Sequence, residues 1–587
     1  MHPDPAVGPV PDLLSVEPSV RVDLPALRQL LVFAFATGAS PDAFDEALGS
    51  AALPASSWDA GSYARDLFLG DLVARALPLA AGGRPYAPCE PYLLRAIAAP
   101  PRDPAVTSFR QGVLGELAER EALRRDFERL YAELVELRTL LCASRLTSGR
   151  LRRVEILRQV RRAFETLAGS FGGAASGLAR LREFGEDACA SEAFRRLEAL
   201  LDYDEKMATV DVRVAVGADG ELRTFEIVSL RESTGSPFYS SPLGRLLVRL
   251  RLALRGYRMS GGELAERFVG EVFGGLEDRV ALLFQLLGDM QFYLCGLGFR
   301  DLARGRGLEV CFPEFGPPGG AGAGLELARL FNPLLLADGR TPVPCDLATT
   351  HADATAIVTG PNSGGKTRLL QAVALAQLFA GAGLYVPAAR ARLPRFAGLF
   401  VSLLDEARAD QPEGQLGMEL LRIRRMFERL APGSLVLLDE LCSGTNPSEG
   451  EEIARLVITL LPELDSQVFI TTHLLQFAER LEAERPAPRL EFLQVELDGH
   501  ERPTYGFVPG VARTSLAHRT AARLGVTRDE LLALIAEKRR APAPPPPGLA
   551  RPAPAEADDA PLAPRRAGPT RARQILDANR GRRRGGG

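Results

Sequence analysis

Lysine is almost missing from this chain. Of 71 Lys and Arg residues in 587, only Lys206, Lys366 and Lys538 are lysines. Cysteine is sparse: the seven residues at 89, 142, 189, 295, 311, 345 and 442 form no C-x-x-C pair. That argues against a zinc site and against a secreted disulfide framework. The N-terminus MHPDPAVGPVPDLL has no basic segment ahead of an apolar run, so no signal peptide is read. No apolar stretch is read as reaching the roughly 18 residues of a spanning helix. A cytoplasmic protein with no membrane partner is therefore expected. An excess of charge is also missing, since 71 basic residues stand against 74 acidic ones for a net charge of −3. Any nucleic-acid surface has to be local. What is present is apolar content of 46%, enough for large cores.

The texture changes along the chain. Residues 1–20 are Pro-rich and read as loose. Helical patches at Leu24–Ala36 and Tyr63–Ala76 fall in a first region, 1–109, that no motif assigns. From residue 110 a stripe of Leu123, Phe127, Leu130, Leu134, Leu137 and Leu141 recurs at spacings of three and four. That is the apolar face of a long helix, in a bundle or in a lever. A second helix is read at Leu151–Leu167. Residues 208–231 alternate apolar and polar around Ala218-Asp219-Gly220, a hairpin pattern. Helical patterns resume over 241–302, and the glycine-rich stretch 316–324 is a break. This gives a helical core or lever region at 110–325 and an α/β region at 326–540. The tail 541–587 is dominated by Pro, Ala and Arg; with few large apolar side chains it is expected to be disordered.

The rare lysine Lys366 sits in TGPNSGGKT, 359–367. Gly360, Gly365, Lys366 and Thr367 fit G-x-x-x-x-G-K-[ST], a loop whose amides wrap a nucleotide's phosphates. Gly360, Pro361, Asn362, Ser363, Gly364, Gly365, Lys366 and Thr367 are thus the candidate ATP-binding residues. Lysine offers a compact ammonium to the β- and γ-phosphates, and Thr367 a hydroxyl to Mg²⁺. The flanks agree: an apolar strand at 354–359 precedes the loop and a helix at 368–380, free of Gly and Pro, follows. SLVLLDE at 434–440 is a second apolar strand ending in two acids. Asp439 is placed to hold Mg²⁺ and Glu440 to polarise the attacking water. A third strand, 467–472, ends at His473, a candidate γ-phosphate sensor or water-orienting group.

TGPNSGGKT, GLYVPA at 383–388, LVLLDELCSGTNPSEG at 435–450 and TTH at 471–473 together resemble the ATPase domain of the MutS family of DNA mismatch-repair proteins. FNPLLL at 331–336 is similar to the segment that opens that domain, with Asn332 where histidine is usual. Residues 504–526 resemble the region that leads to a helical dimerisation element. The resemblance implies an α/β P-loop ATPase domain of ABC-like, MutS type behind a helical core. It also implies ATP and Mg²⁺ as ligands, and a homodimer clamped on duplex or branched DNA in repair or recombination. In it, Gly444-Thr445-Asn446-Pro447 lies near the dimer face.

Departures are equally specific. The family's mismatch reader uses an aromatic Phe-x-Glu wedge, for which FDE at 44–46 and FGE at 184–186 are chance matches, and no C-terminal nuclease domain is read. The family's signature loop offers a serine to the neighbouring subunit's γ-phosphate. Here the region reads EGQLGMELLRI, 413–423, without serine; Glu419 and Arg422 read as surface or interface charges. Arg368 also replaces a common second hydroxyl. Two other functions compete. An SMC-like or ABC-like mechanical ATPase needs an LSGGQ-type signature where GQLGME stands. An ATP-gated scaffold would bind nucleotide without turnover.

Candidate DNA contacts are the arginines of 145–162 and the tail, whose nine arginines face four acidic residues over 541–587. Deleting 541–587 is expected to leave ATPase activity and dimerisation intact and to flatten the salt dependence of DNA affinity, by about 0.9 in log–log slope per lost phosphate contact. Salt titrations of the full and truncated chains check this; identical slopes would refute it.

Overall fold

The computed structural model describes residues 8–143, 149–206, 209–216, 222–231, 269–316, 324–403, 415–441, 446–513 and 525–540. Outside these lie the 218–220 turn, the start of the 241–302 span, most of the 316–324 break, Gly444, Thr445 and the tail. The chain divides into two compact units, 1–517 and 518–587. In the second, the described element is the helix Arg528–Arg540, on which Leu531, Leu532, Leu534 and Ile535 are exposed.

The helical body of the first unit is built on the helix Glu277–Gly305. It is 29 residues long, and an 18-residue window within it has a mean hydropathy of 1.5. By length and composition it could cross a membrane, contrary to the sequence expectation, but that window is wholly buried inside the protein. Gln285, Asp289 and Gln291 interrupt the apolar run and hide its length, yet all three are buried.

Each of these polar side chains is used. Gln285 accepts from the amide of Arg21 at 2.7 Å and donates to Ser19 O at 2.9 Å. Gln291 accepts from Cys89 N at 2.8 Å. Asp289 accepts from Leu13 N at 3.0 Å, from the Tyr92 hydroxyl and from the Arg21 guanidinium, which also reaches Asp12 at 3.1 Å. Burial raises the Asp289 carboxyl's pKa, and the Arg21 cation opposes it. The segment read as loose is therefore packed from Val10 onward, with Asp12, Leu13 and Leu14 fully buried. Its prolines preclude regular helix but not burial.

Against this axis pack Leu24–Thr37, Pro104–Glu119 and Glu121–Cys142, and Gly149–Gly169 packs in turn on Glu121–Cys142 and Leu24–Thr37. The stripe from Leu123 to Leu141 is buried in the shared core, as in a bundle. Over 63–76 no continuous helix forms: Phe68 takes a left-handed φ of 50° and only short helical turns remain. The arginine-rich helix is also not a free basic face. Arg152 donates to Leu140 O at 2.9 Å and Phe35 O at 3.1 Å, and also to Ala34 O and Leu141 O. It thereby caps the orphan carbonyls of two helices. Arg158 pairs with Glu155, and Arg162 with Gln159. The hairpin appears as Thr209–Val216 against Leu222–Arg231.

The α/β part is a six-stranded sheet in the spatial order Leu399–Ser402, Leu435–Leu438, Gln467–Thr472, Thr355–Thr359, Leu490–Leu497, Pro503–Pro509. All neighbours are parallel except the last pair. Alternation divides the strands between two cores. Ala356, Val358, Leu435 and Leu437 face the main core, which runs without a break back to Val10. Ile357, Val436 and Leu438 face a smaller one, closed by Met426, Val457, Ile458 and Phe477. The helix Lys366–Ala382 is buried almost all round, as a layer between the sheet and the helical region must be. Its last turn is gripped from outside: Arg110 donates to Ala382 O and Thr107 to Gly381 O, both at 3.1 Å. Among the described residues, Leu308, Leu325 and Leu327 belong to the same main core.

Arg21→Met is expected to destabilise the fold by about 3–5 kcal/mol, because two buried carboxylates lose their cation. Denaturant unfolding checks this, and adding Asp289→Leu should recover part of the loss. An unchanged midpoint for the single variant would show that the pair is not coupled.

Candidate nucleotide site at the carboxyl edge of the sheet

Three neighbouring strands, Leu435–Leu438, Gln467–Thr472 and Thr355–Thr359, end at the same edge. Parallel pairing alone brings their following residues together, where open α/β sheets bind ligands. After Thr359 the chain turns through Gly360, with φ of 143°, where a Cβ would lie 2.6 Å from Val495. Ser363 (φ 69°) and Gly365 (φ 91°) are left-handed, and Gly365 directly precedes the helix. Such a path turns successive amides inward toward an anion, at the positive end of a helix.

Lys366 is buried and folded back over the loop; its ammonium donates to Gly360 O at 3.0 Å and Pro361 O at 3.2 Å. Burial lowers its pKa, and Glu440 and Asp439 oppose that shift. The Thr367 hydroxyl donates to Asp439 Oδ2 at 2.6 Å. On the other side the Thr471 hydroxyl donates to Asp439 Oδ1 and accepts the amide of Glu440 at 3.0 Å. Glu440 has a left-handed φ of 48°. Its carboxylate lies 3.6 Å from His473 Nδ1, and both side chains are half-buried.

The eight loop residues, Asp439, Glu440 and His473 thus converge at one edge. Thr367 and Asp439 fit Mg²⁺: they are hard oxygen donors already in contact, and this ion takes one or two protein oxygens plus phosphate and water. Among the described residues no cluster of three or more His, Cys, Asp or Glu could hold another ion.

The cavity over the loop is about 770 Å³. Sequence reasoning missed several of its parts. Thr471, the first threonine of TTH, orients both acids. Tyr505 lies over the loop, its ring 3.2 Å from where a Gly365 Cβ would stand, and lines the cavity with Phe507 and Val343. An exposed tyrosine beside a phosphate loop is a platform for a base. Asn332, buried, accepts from Leu334 N at 2.9 Å and donates to Arg368 O at 3.0 Å, tying the FNPLLL segment to the first turn of the loop helix.

Strand, phosphate loop, helix and acid pair are the parts of a P-loop nucleotide-binding protein. Residues 356–528 match MutS domain V. That match supports a MutS-family member through this domain. It is 37% identical over 200 residues to Endonuclease MutS2 of Thermomicrobium roseum, covering 34% of this chain and 25% of that protein. For Endonuclease MutS2 of Anaeromyxobacter sp. the figures are 36% over 211 residues, 35% and 26%. For that of Thermus thermophilus they are 30% over 303 residues, 51% and 38%. The matched part spans only about a quarter to two-fifths of these relatives' length.

Lys366→Ala is expected to abolish tight ATP binding while the chain stays folded. Equilibrium nucleotide binding alongside thermal unfolding checks this, and normal affinity in a folded variant would refute the loop's assignment.

Proposed function

We propose that this chain binds and hydrolyses ATP with Mg²⁺ and uses the cycle to control its hold on DNA, as a homodimer acting in repair or recombination. The observation that carries the proposal is the meeting of Lys366, Thr367, Asp439, Glu440 and His473 at one sheet edge. Loop amides and the Lys366 ammonium take the β- and γ-phosphates, and Tyr505 offers its ring to the base. Bound Mg²⁺ would offset phosphate charge between Thr367 and Asp439. Glu440 polarises the attacking water, while His473 holds the Glu440 carboxylate or the γ-phosphate. Thr471 keeps Asp439 and Glu440 in register.

The dimer is supported by the exposed leucines and Ile535 on Arg528–Arg540, a helix whose apolar side chains need a partner. DNA as ligand is supported by the family match and by the MutS2 relatives. The endonuclease activity in those names is not carried over, because the matches span only about a quarter to two-fifths of those proteins. Arg152 is taken up by the core, so the DNA-facing cations lie elsewhere than in its part of the arginine-rich helix.

Glu440→Gln is expected to bind ATP with near-normal affinity and to hydrolyse it about 10²–10⁴ times more slowly. ATP turnover of the wild type and the variant, with and without duplex DNA, tests the proposal. Unchanged turnover in the variant removes Glu440 from catalysis, and turnover indifferent to DNA removes the coupling.

A further inference from the structure

The helix Gln415–Arg429 follows the edge strand Leu399–Ser402 and precedes the acid-pair strand Leu435–Leu438. It covers the smaller core with Ile423, Met426 and Phe427, at helical spacing, and Leu430 joins them just past its end. One turn earlier the same face holds Glu419 and Arg422. The positions four before Ile423 and Met426, Glu419 and Arg422, therefore carry charges where the pattern calls for apolar side chains. Leu420 and Leu421, which would suit that face, are instead exposed, at 44% and 37%. The turn is inverted, with charges inward and leucines outward.

What the inward charges face explains the inversion. Glu419 and Arg422 line a small cavity with Ser402, Met426, Asp439 and Glu440. Its volume is about 20 Å³, room for one water. Asp439 and Glu440 also line the large cavity over the phosphate loop. The acid pair is thus a wall between two spaces, with Lys366, Thr367 and the phosphate loop on one side and Arg422 on the other. Both Glu419 and Arg422 are half-buried, and neither is a free surface charge. Two carboxylates beside a triphosphate are a heavy load of negative charge for a partly desolvated site. A guanidinium behind them offsets it and can grip a carboxylate through two donors.

We propose that Arg422 is a positioning residue for ATP hydrolysis, holding the Glu440 carboxylate from the side opposite the nucleotide, with Glu419 fixing the guanidinium in place. The proposal rests on the ATPase reading above. It gives this chain a cation within its own subunit beside the hydrolytic carboxylate, in the same helix turn region where the family's serine is absent.

The test uses the full chain and two readouts, steady-state ATP hydrolysis and retention of ADP–aluminium fluoride. Arg422→Ala should lower kcat by about 10–100-fold, the scale of a misplaced catalytic group. KM should stay within about threefold, and retention of ADP–aluminium fluoride should weaken. Arg422→Lys should restore part of the rate, which a packing defect would not permit. Arg422→Gln, nearer in length and still polar, replaces the alanine variant if that one unfolds. If Arg422 acts through Glu440, adding Arg422→Ala to Glu440→Gln should slow turnover no further than Glu440→Gln alone. Wild-type kcat in a folded Arg422→Ala or Arg422→Gln, or fully additive losses in the double variant, would overturn the proposal and leave the ATPase reading standing. A wild type that neither turns over ATP nor retains ADP–aluminium fluoride would overturn both.

Discussion

The Asp439 carboxylate is the point on which the site depends. One oxygen accepts from Thr367, at the start of the loop helix, and the other from Thr471, on the adjacent strand. Its own amide donates to Ser402 O at 2.9 Å, on the strand beyond. One residue therefore ties the ends of three strands to the phosphate loop. Such ties are strong, because the acceptor is charged and the surroundings partly exclude water. Slippage of any one strand by a residue would turn these side chains to the wrong face.

The loop helix carries this constraint inward. At its first turn are Lys366 and Thr367; at its last, Arg110 and Thr107 hold the carbonyls of Ala382 and Gly381. Arg110 is fully buried and also donates to Leu14 O at 3.1 Å. A rigid rod gripped at both ends joins the nucleotide cavity to the helical body and its N-terminal segment. Asn332 and the FNPLLL segment add a lateral brace near the first turn.

Much of the site was legible in the sequence because its chemistry demands particular residue types at fixed local spacing. Gly360, Gly365, Lys366 and Thr367 lie within one loop, and Asp439 and Glu440 end one apolar run. The stripe from Leu123 to Leu141 was readable for the same reason, since helical period is local. What escaped depends on contacts distant in sequence. Tyr505 reaches the loop only because an antiparallel strand returns along the sheet edge. Thr471 looked like one more β-branched strand residue until its neighbour strand supplied a carboxylate. The apolar length of the helix Glu277–Gly305, not its helical character, was concealed by Gln285, Asp289 and Gln291, whose partners lie far away in the chain. Glu419 and Arg422 read as surface or interface charges because charged residues usually are, and only the sheet beneath them shows that both are half-buried beside the acid pair.

The buried strip from Val10 to Val22 has a consequence for how the molecule comes into being. Leu13 and Asp289 are 276 residues apart, and Arg21 and Asp289 are 268 apart. This strip thus has no place to settle until synthesis has run on through Asp289. At about 5–20 residues per second that is a wait on the order of tens of seconds. During it, Leu13, Leu14 and the charged Arg21 remain in solvent, while the helices from Leu24 to Lys206 can form from near neighbours. Closing so long a loop is slow relative to local helix packing, so the strip locks only once Glu277–Gly305 is in place.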